Sequence, residues 1–275
     1  MKPLGKLVLR PFLTILVLCG VLLAPAGPRA EESEAARAQR WHDLAQAIFG
    51  ERQIQEGTGV IALDAPVRAL DAALVPVAIT LSGAEPIRAI YLVIDENPSP
   101  LAAHVVFGPA ADPHSLKLRV RVDQYTEVHA VAESAAGVLY ETKRFVKAAG
   151  GCSAPAGSDD PAALKDIGHM KLRLVGDVAF GRPVEAQLLI RHPNFNGMQM
   201  NQLTRQITPA HFIQSVDVSY EGQPVFHLDG DISMSSDPVI GFGFVPKDKD
   251  RMKVVVRDSK NAIFEHSFDI PPEGS

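Results

Sequence analysis

Cysteine is nearly missing from this chain, with two in 275 residues, Cys19 and Cys152. There is no Cys-x-x-Cys pair, so an internal dithiol oxidoreductase is excluded by counting. The sequence also lacks a glycine-rich phosphate loop, a compact zinc-ligand spacing and a nucleophile elbow, which removes the usual signatures of nucleotide, zinc and hydrolase chemistry. Positive charge is not in excess either. The formal net charge is -5, and loss of the four N-terminal cations Lys2, Lys6, Arg10 and Arg29 would make it four units more negative, -9. That balance argues against nucleic acid or an anionic membrane as partner.

What the first residues do contain is an export pattern. Lys2, Lys6 and Arg10 form a basic start, Phe12 to Leu23 an apolar run shorter than the ~20 residues that span a bilayer, and Ala24-Pro25-Ala26 a small-x-small cleavage site. Cleavage after Ala30 is an alternative. Leu18 precedes Cys19 where lipid attachment would want a small residue, and no twin arginine is present, so the expectation is a cleaved signal peptide over residues 1–30 and no membrane anchor. The mature chain is then periplasmic, with Cys152 as its one thiol. An unpaired thiol in an oxidising compartment is a liability unless it is kept for a purpose.

Beyond the leader the hydrophobic period identifies the elements. Trp41, Leu44, Ala45, Ile48 and Phe49 make one apolar stripe of a helix that Gly50 ends. The period then falls from 3.6 to 2. Val75, Val77, Ile79 and Leu81 alternate with smaller or polar residues; Leu116, Leu118, Val120 and Val122 alternate with Lys117, Arg119 and Arg121, one face in a core and one in water. Further strands are expected at 87–94, 102–107, 126–132 and 138–146, with turns at Asn97-Pro98-Ser99-Pro100, Asp112-Pro113 and Gly137. A second series is expected at 170–175, 184–191, 215–220, 225–228, 239–245, 252–257 and 263–270. Short, regularly spaced strands mean sandwiches.

Between the two series, residues 148–161 show no periodicity and are rich in glycine, serine, alanine and proline, which reads as a flexible, solvated connector. Cys152 lies in it. With no cation adjacent, no helix start at the thiol and Asp159-Asp160 downstream, the expected pKa is the reference value of about 8.5. Such a thiol is a poor nucleophile by itself. Small neighbours (Gly150, Gly151, Ser153 and Ala154) instead suit an arm that threads into another protein's site.

Other constellations carry less. His192, Met198, Met200 and His211 bracket a long connection and offer ligands that suit copper, although the methionines equally suit packing. His104, His129 and His227 read as satisfied strand residues at the surface or core edge. Asp95-Glu96, Asp159-Asp160 and the Asp229, Asp231 pair read as solvated turn residues.

Three stretches also resemble a known family. Ile94-Asp95-Glu96-Asn97-Pro98-Ser99-Pro100-Leu101-Ala102 and Val146-Lys147-Ala148-Ala149-Gly150-Gly151-Cys152 resemble SoxY, the sulfur-carrying subunit of bacterial thiosulfate oxidation. Residues 170–270 resemble its partner SoxZ through Leu189-Ile190-Arg191-His192-Pro193, Gly197-Met198-Gln199, Tyr220-Glu221-Gly222-Gln223-Pro224-Val225-Phe226 and Ile232-Ser233-Met234-Ser235-Ser236-Asp237-Pro238. The resemblance implies two immunoglobulin-like sandwiches that pack on each other and a thiol on which intermediates ride. Partners would be enzymes of a sulfur-oxidation or quinoprotein dehydrogenase system. In that family the cysteine ends the chain between glycine pairs. Here Ser153 and Ala154 replace the trailing glycines and the arm is tethered at both ends, which implies a wider-mouthed partner site or a different cargo.

The expectation is therefore an all-β protein with one N-terminal helix. It divides as signal peptide 1–30, helix 31–56, SoxY-like sandwich 57–148, carrier-arm linker 149–165 and SoxZ-like sandwich 166–275. Cys152 is the covalent attachment point, and no catalytic residue, metal or cofactor is assigned. The alternatives are a thiol-dependent redox enzyme or sensor using Cys152, and a copper-binding module.

Overall fold

The computed structural model describes residues 33–154, 164–201 and 204–271; the expected signal peptide with Cys19, and Asp159-Asp160, lie outside the described residues. Among the described residues one helix, α1 (Glu34–Phe49), precedes fifteen strands. Ser33 caps it by accepting the Ala36 N–H, and Gly50 closes it at φ 66°, as the stripe and the glycine predict. Trp41, Ala45, Ile48 and Phe49 lie against Val131 and Leu139 of the first half.

The first half contributes β1 (Ile54–Glu56), β2 (Ile61–Asp64), β3 (Val75–Leu81), β4 (Ile87–Ile94), β5 (Leu101–Phe107), β6 (Ala111–Val120), β7 (Thr126–Ser134) and β8 (Leu139–Val146). The second contributes β9 (Met170–Val175), β10 (Val184–Ile190), β11 (Ile213–Tyr220), β12 (Gln223–Gly230), β13 (Val239–Phe244), β14 (Arg251–Asp258) and β15 (Ile263–Asp269). Their order is β1-β8-β7-β4-β5-β12-β11-β14-β15 in one sheet and β2-β3-β6-β13-β10-β9 in the other. Each half is thus a sandwich with strands in both sheets, consistent with the immunoglobulin-like reading.

The halves are joined edge to edge. Strand β5 pairs antiparallel with β12, Val105 opposite Leu228, and β6 with β13, Leu116 opposite Phe242. Each pairing satisfies backbone groups that would otherwise be open sheet edges. A single buried cluster accordingly runs from Ile61 to Ile270. Two separately cored sandwiches were the expectation for the halves; one shared core is what the two cross-joins produce.

Two local readings change as well. Asp112-Pro113 sits inside β6 rather than in a turn, and the β6–β13 register jumps there, from Leu116 opposite Phe242 to Asp112 opposite Gly243. A proline cannot donate to the ladder, so the strand carries it at an irregularity. Arg121, expected to face water, is fully buried, because β6 ends at Val120 and the alternation ends with it.

Candidate functional site around Cys152

The turn that carries Cys152 is docked on the end of β6. Gly150 N–H donates to Asp123 C=O at 2.7 Å and Gly151 N–H to Val122 C=O at 3.0 Å. Both glycines are required by geometry. Gly150 has φ 77°, a left-handed conformation, and a Cβ on Gly151 would lie 2.1 Å from Ala72 C=O and 2.5 Å from Val122 C=O. Small residues here therefore serve close packing against the strand end, where the sequence suggested slimness for threading.

Cys152 is 1% exposed. Burial, helped by the charge of Asp123 and only partly offset by that of Arg121, pushes its thiol up to about 12. This corrects the expectation of a solvated arm with an ordinary thiol. Of the expected linker 149–165, Gly151 and Cys152 are buried, Gly150 and Ala154 half-buried, and Ala149 and Ser153 exposed, while 155–163 lie outside the described residues.

The cover comes from the second half. Asn196 Nδ2 donates to Cys152 C=O at 2.7 Å, and Asn196 N–H to Gln199 Oε1 at 3.3 Å. Beside them Asn194 is a hub: its Nδ2 donates to Ser235 C=O, its Oδ1 accepts from Ile213 N–H, and its C=O accepts from Arg121 Nη2 at 3.3 Å. Arg121 Nη1 reaches Gly151 C=O at 3.4 Å. Behind the arginine, Asn97 Nδ2 donates to Arg121 C=O and Ser233 Oγ, and its Oδ1 accepts from Asp123 N–H. The segments 94–102, 189–199 and 232–238, separate in sequence, thus converge on the cysteine turn.

Next to the hub, His192, His211 and Asp258 are buried together. His211 Nε2 donates to Asp258 Oδ2 at 2.7 Å, and the two imidazoles meet edge-on with centroids 4.8 Å apart. Burial opposes ionisation of Asp258, but His211 and the N–H groups of Ala262 and Lys260 outweigh it and hold the carboxyl below its usual range. Burial and the neighbouring His211 pull His192 down to about 4, so it is neutral near pH 7. Its Nδ1 accepts the Asn194 N–H at 3.1 Å, which leaves the proton on Nε2, facing Asp258 at 3.6 Å. That proton occupies the position a metal would need. Of the four residues read as copper ligands, the two histidines come together, with Asp258 as the third group, whereas Met200 is 40% exposed.

The first half holds a different cluster. His129, read from sequence as a surface or core-edge residue, is 0% exposed. It donates through Nδ1 to Glu141 at 2.7 Å and through Nε2 to Asp95 at 3.2 Å, with Glu127 at 3.6 Å. Burial alone would lower its pKa, but these carboxylates outweigh burial and raise it. Trp41 of α1 stacks on the ring, centroids 3.7 Å apart, and donates to Glu141 at 3.0 Å. Asp95, expected in a solvated turn, is buried by this packing, and Glu96 pairs with Arg40. His104 stacks on Tyr91, and His227 bonds Asp217 and Asp229, as satisfied strand residues should.

Among the described residues, the site is a two-sheet β architecture with one thiol, Cys152, buried where the two halves meet. Residues 45–152 match the family described as "Sulfur oxidation protein SoxY" and residues 172–269 the family described as "Sulphur oxidation protein SoxZ". Among solved structures, the sulfur carrier protein SoxY from Chlorobium limicola f thiosulfatophilum is 31% identical, covering 42% of this chain and 96% of that one, with a TM-score of 0.36. A β-glycosidase from Bacteroides vulgatus aligns at 10% identity over 77% of this chain and 24% of that one, TM-score 0.22, which carries no weight. No curated protein matches. The chain belongs to the SoxY family, fused to a SoxZ domain, and is a sulfur-oxidation-related protein.

Proposed function

We propose that this protein is an exported, periplasmic carrier that holds a sulfur-containing or other thiol-reactive intermediate covalently on Cys152 and presents it to partner enzymes of a sulfur-oxidation or quinoprotein dehydrogenase system. It works as cargo holder, not catalyst. The observation that carries this reading is positional: the SoxY match ends on Cys152 itself, and the SoxZ-matched segment 189–199 closes over that residue. Burial adds a resting state. A thiol held near 12 is almost wholly protonated and unreactive at neutral pH, so loading requires the turn to leave its seat. Few bonds oppose this: one from Asn196, one long bond from Arg121 to Gly151 C=O, and two from the glycine N–H groups to Val122 and Asp123 just past β6. A peroxide-reducing or sensing thiol needs the opposite shift, which disfavours the redox alternative.

Complementation of a deletion strain tests the proposal. Cys152→Ser and Cys152→Ala should both abolish sulfur-compound oxidation. Circular dichroism of each variant must show the native sheet content, since a buried serine hydroxyl can cost about 1–3 kcal/mol. Full complementation by either folded variant would end the carrier reading.

A further inference from the structure

The groups packed round the cysteine turn contain more hydrogen-bond donors than acceptors. Arg121 is 1% exposed. It has no salt bridge to a carboxylate among the described residues; its side-chain hydrogen bonds are the two long ones to Gly151 and Asn194 C=O, its Nε has no partner, and the charge of Asp71, outside hydrogen-bonding reach, does not make up for its burial. Gln199 Nε2 and Ser235 Oγ are buried without hydrogen-bond partners too, while His192 Nε2 has only the Asp258 carboxylate, 3.6 Å away. All four belong to one bonded neighbourhood: Arg121, His192 and Ser235 through Asn194, and Gln199 through Asn196, which holds Cys152. Leaving a buried guanidinium and the buried Gln199 amide without full partners is costly unless something that accepts hydrogen bonds is at times present.

Resting on the carrier reading of Cys152, we propose that these residues form an anion subsite in which Arg121 takes up the negative charge of a small oxyanion group, such as a sulfonate or carboxylate, joined to the sulfur. A guanidinium with free N–H groups suits an oxyanion better than a point cation would. The Gln199 amide and Ser235 hydroxyl add uncharged donors. Elsewhere the fold gives a buried basic side chain its carboxylates: His129 has Asp95, Glu127 and Glu141 about it.

Probe and readout can be chosen so that charge is the only variable. The mature protein is treated with methanethiosulfonate reagents bearing a sulfonatoethyl, a trimethylammonioethyl or a methyl group. The thiolate sulfur attacks the sulfenyl sulfur, a disulfide forms, methanesulfinate leaves with the electron pair and the thiol proton goes to solvent, so no further oxidant is needed. The measured quantity is the ratio of the sulfonatoethyl to the trimethylammonioethyl rate, in the native chain and in Arg121→Met. The expected fall in that ratio is about tenfold or more on losing the guanidinium, the order expected for one close charge in a partly desolvated site, while Arg121→Lys keeps most of it. If Arg121→Met does not fold, Arg121→Lys and Gln199→Leu carry the comparison, the first near native and the second reduced. An unchanged ratio in Arg121→Met, or in Gln199→Leu where that variant stands in, overturns the anion subsite alone. Failure of all three reagents to modify folded protein overturns the carrier reading beneath it.

Discussion

Two buried basic side chains, His129 beside α1 and Arg121 beside the cysteine turn, are surrounded in opposite ways. His129 donates to two carboxylates, has a third within 3.6 Å and lies under Trp41. Arg121 meets two carbonyls, of Gly151 and Asn194, at 3.3–3.4 Å. The first arrangement gives the ring carboxylates on both nitrogens and ties α1 to the sheet; the second has no carboxylate within hydrogen-bonding reach, only the more distant charge of Asp71. Carboxylates bonded to the group mark structure, and their lack marks use. Glu133 follows the first pattern from the other side: burial would raise its pKa, but Arg88, Arg52 and Tyr91 outweigh burial and lower it.

Removing each side chain in turn should separate the two cases by the largest margin. His129→Ala leaves carboxylates facing one another without their shared donor and should cost about 3–5 kcal/mol in urea unfolding, as for breaking a buried ion pair. Arg121→Met, similar in volume and freed of a desolvated charge, should stay within about 1 kcal/mol of the native protein. Equal losses would show that Arg121 is as structural as His129.

A pH titration of stability comes next in size, and its sign differs between His192 and His129. The folded pKa of His192 is lowered to about 4 from an unfolded value near 6.5, so the unfolded chain binds the proton first. Stability contributed by neutral His192 is present above about 6.5 and lost as pH falls toward 4, by about 3 kcal/mol at most. For His129 the folded pKa is raised, so its contribution is present below about 6.5 and lost as pH rises through the folded value. His192→Gln should flatten the acid limb only; flattening of the alkaline limb instead would reverse the assignment.

Smaller effects test how the cysteine turn and α1 are seated. Asn196→Ala removes the one side-chain bond to the Cys152 carbonyl and should speed thiol labelling about 5- to 10-fold, the equivalent of one hydrogen bond, with little change in global stability. Trp41→Phe keeps part of the stack on His129 but loses the bond to Glu141; about 1 kcal/mol and earlier proteolysis near Gly50 are expected. No change in labelling rate for Asn196→Ala would mean the turn opens by another route.

Much of the fold was legible because period-2 burial is written locally. Val75–Leu81, Ile87–Ile94 and Met170–Val175 are strands at the bounds the alternation predicts. Strands β1 and β2 were missed, since three or four residues hold too few apolar positions to show a period. The edge-to-edge join was invisible, because sheet pairing between Val105 and Leu228 is a property of distant segments. At the site, the identity of Cys152 could be read from the scarcity of cysteine, and the family motifs marked the segments that converge on it. Its burial could not. Local composition around Gly150 and Gly151 describes solvated chain, whereas the cover is supplied by Asn196, 44 residues away, and the buried charge by Arg121, 31 residues before. Only Asn194 and Asn196, polar residues flanking an apolar Phe195 in the 189–199 motif, hinted at a bonded loop.

If Cys152 carries cargo, intact-mass spectrometry of protein isolated from its own cell compartment finds a mass above that of the mature chain, an increment mapped to the Cys152 peptide, and its loss on treatment with a thiol reductant. A population consisting wholly of unmodified Cys152, under conditions where the cells are oxidising sulfur compounds, would contradict the carrier role.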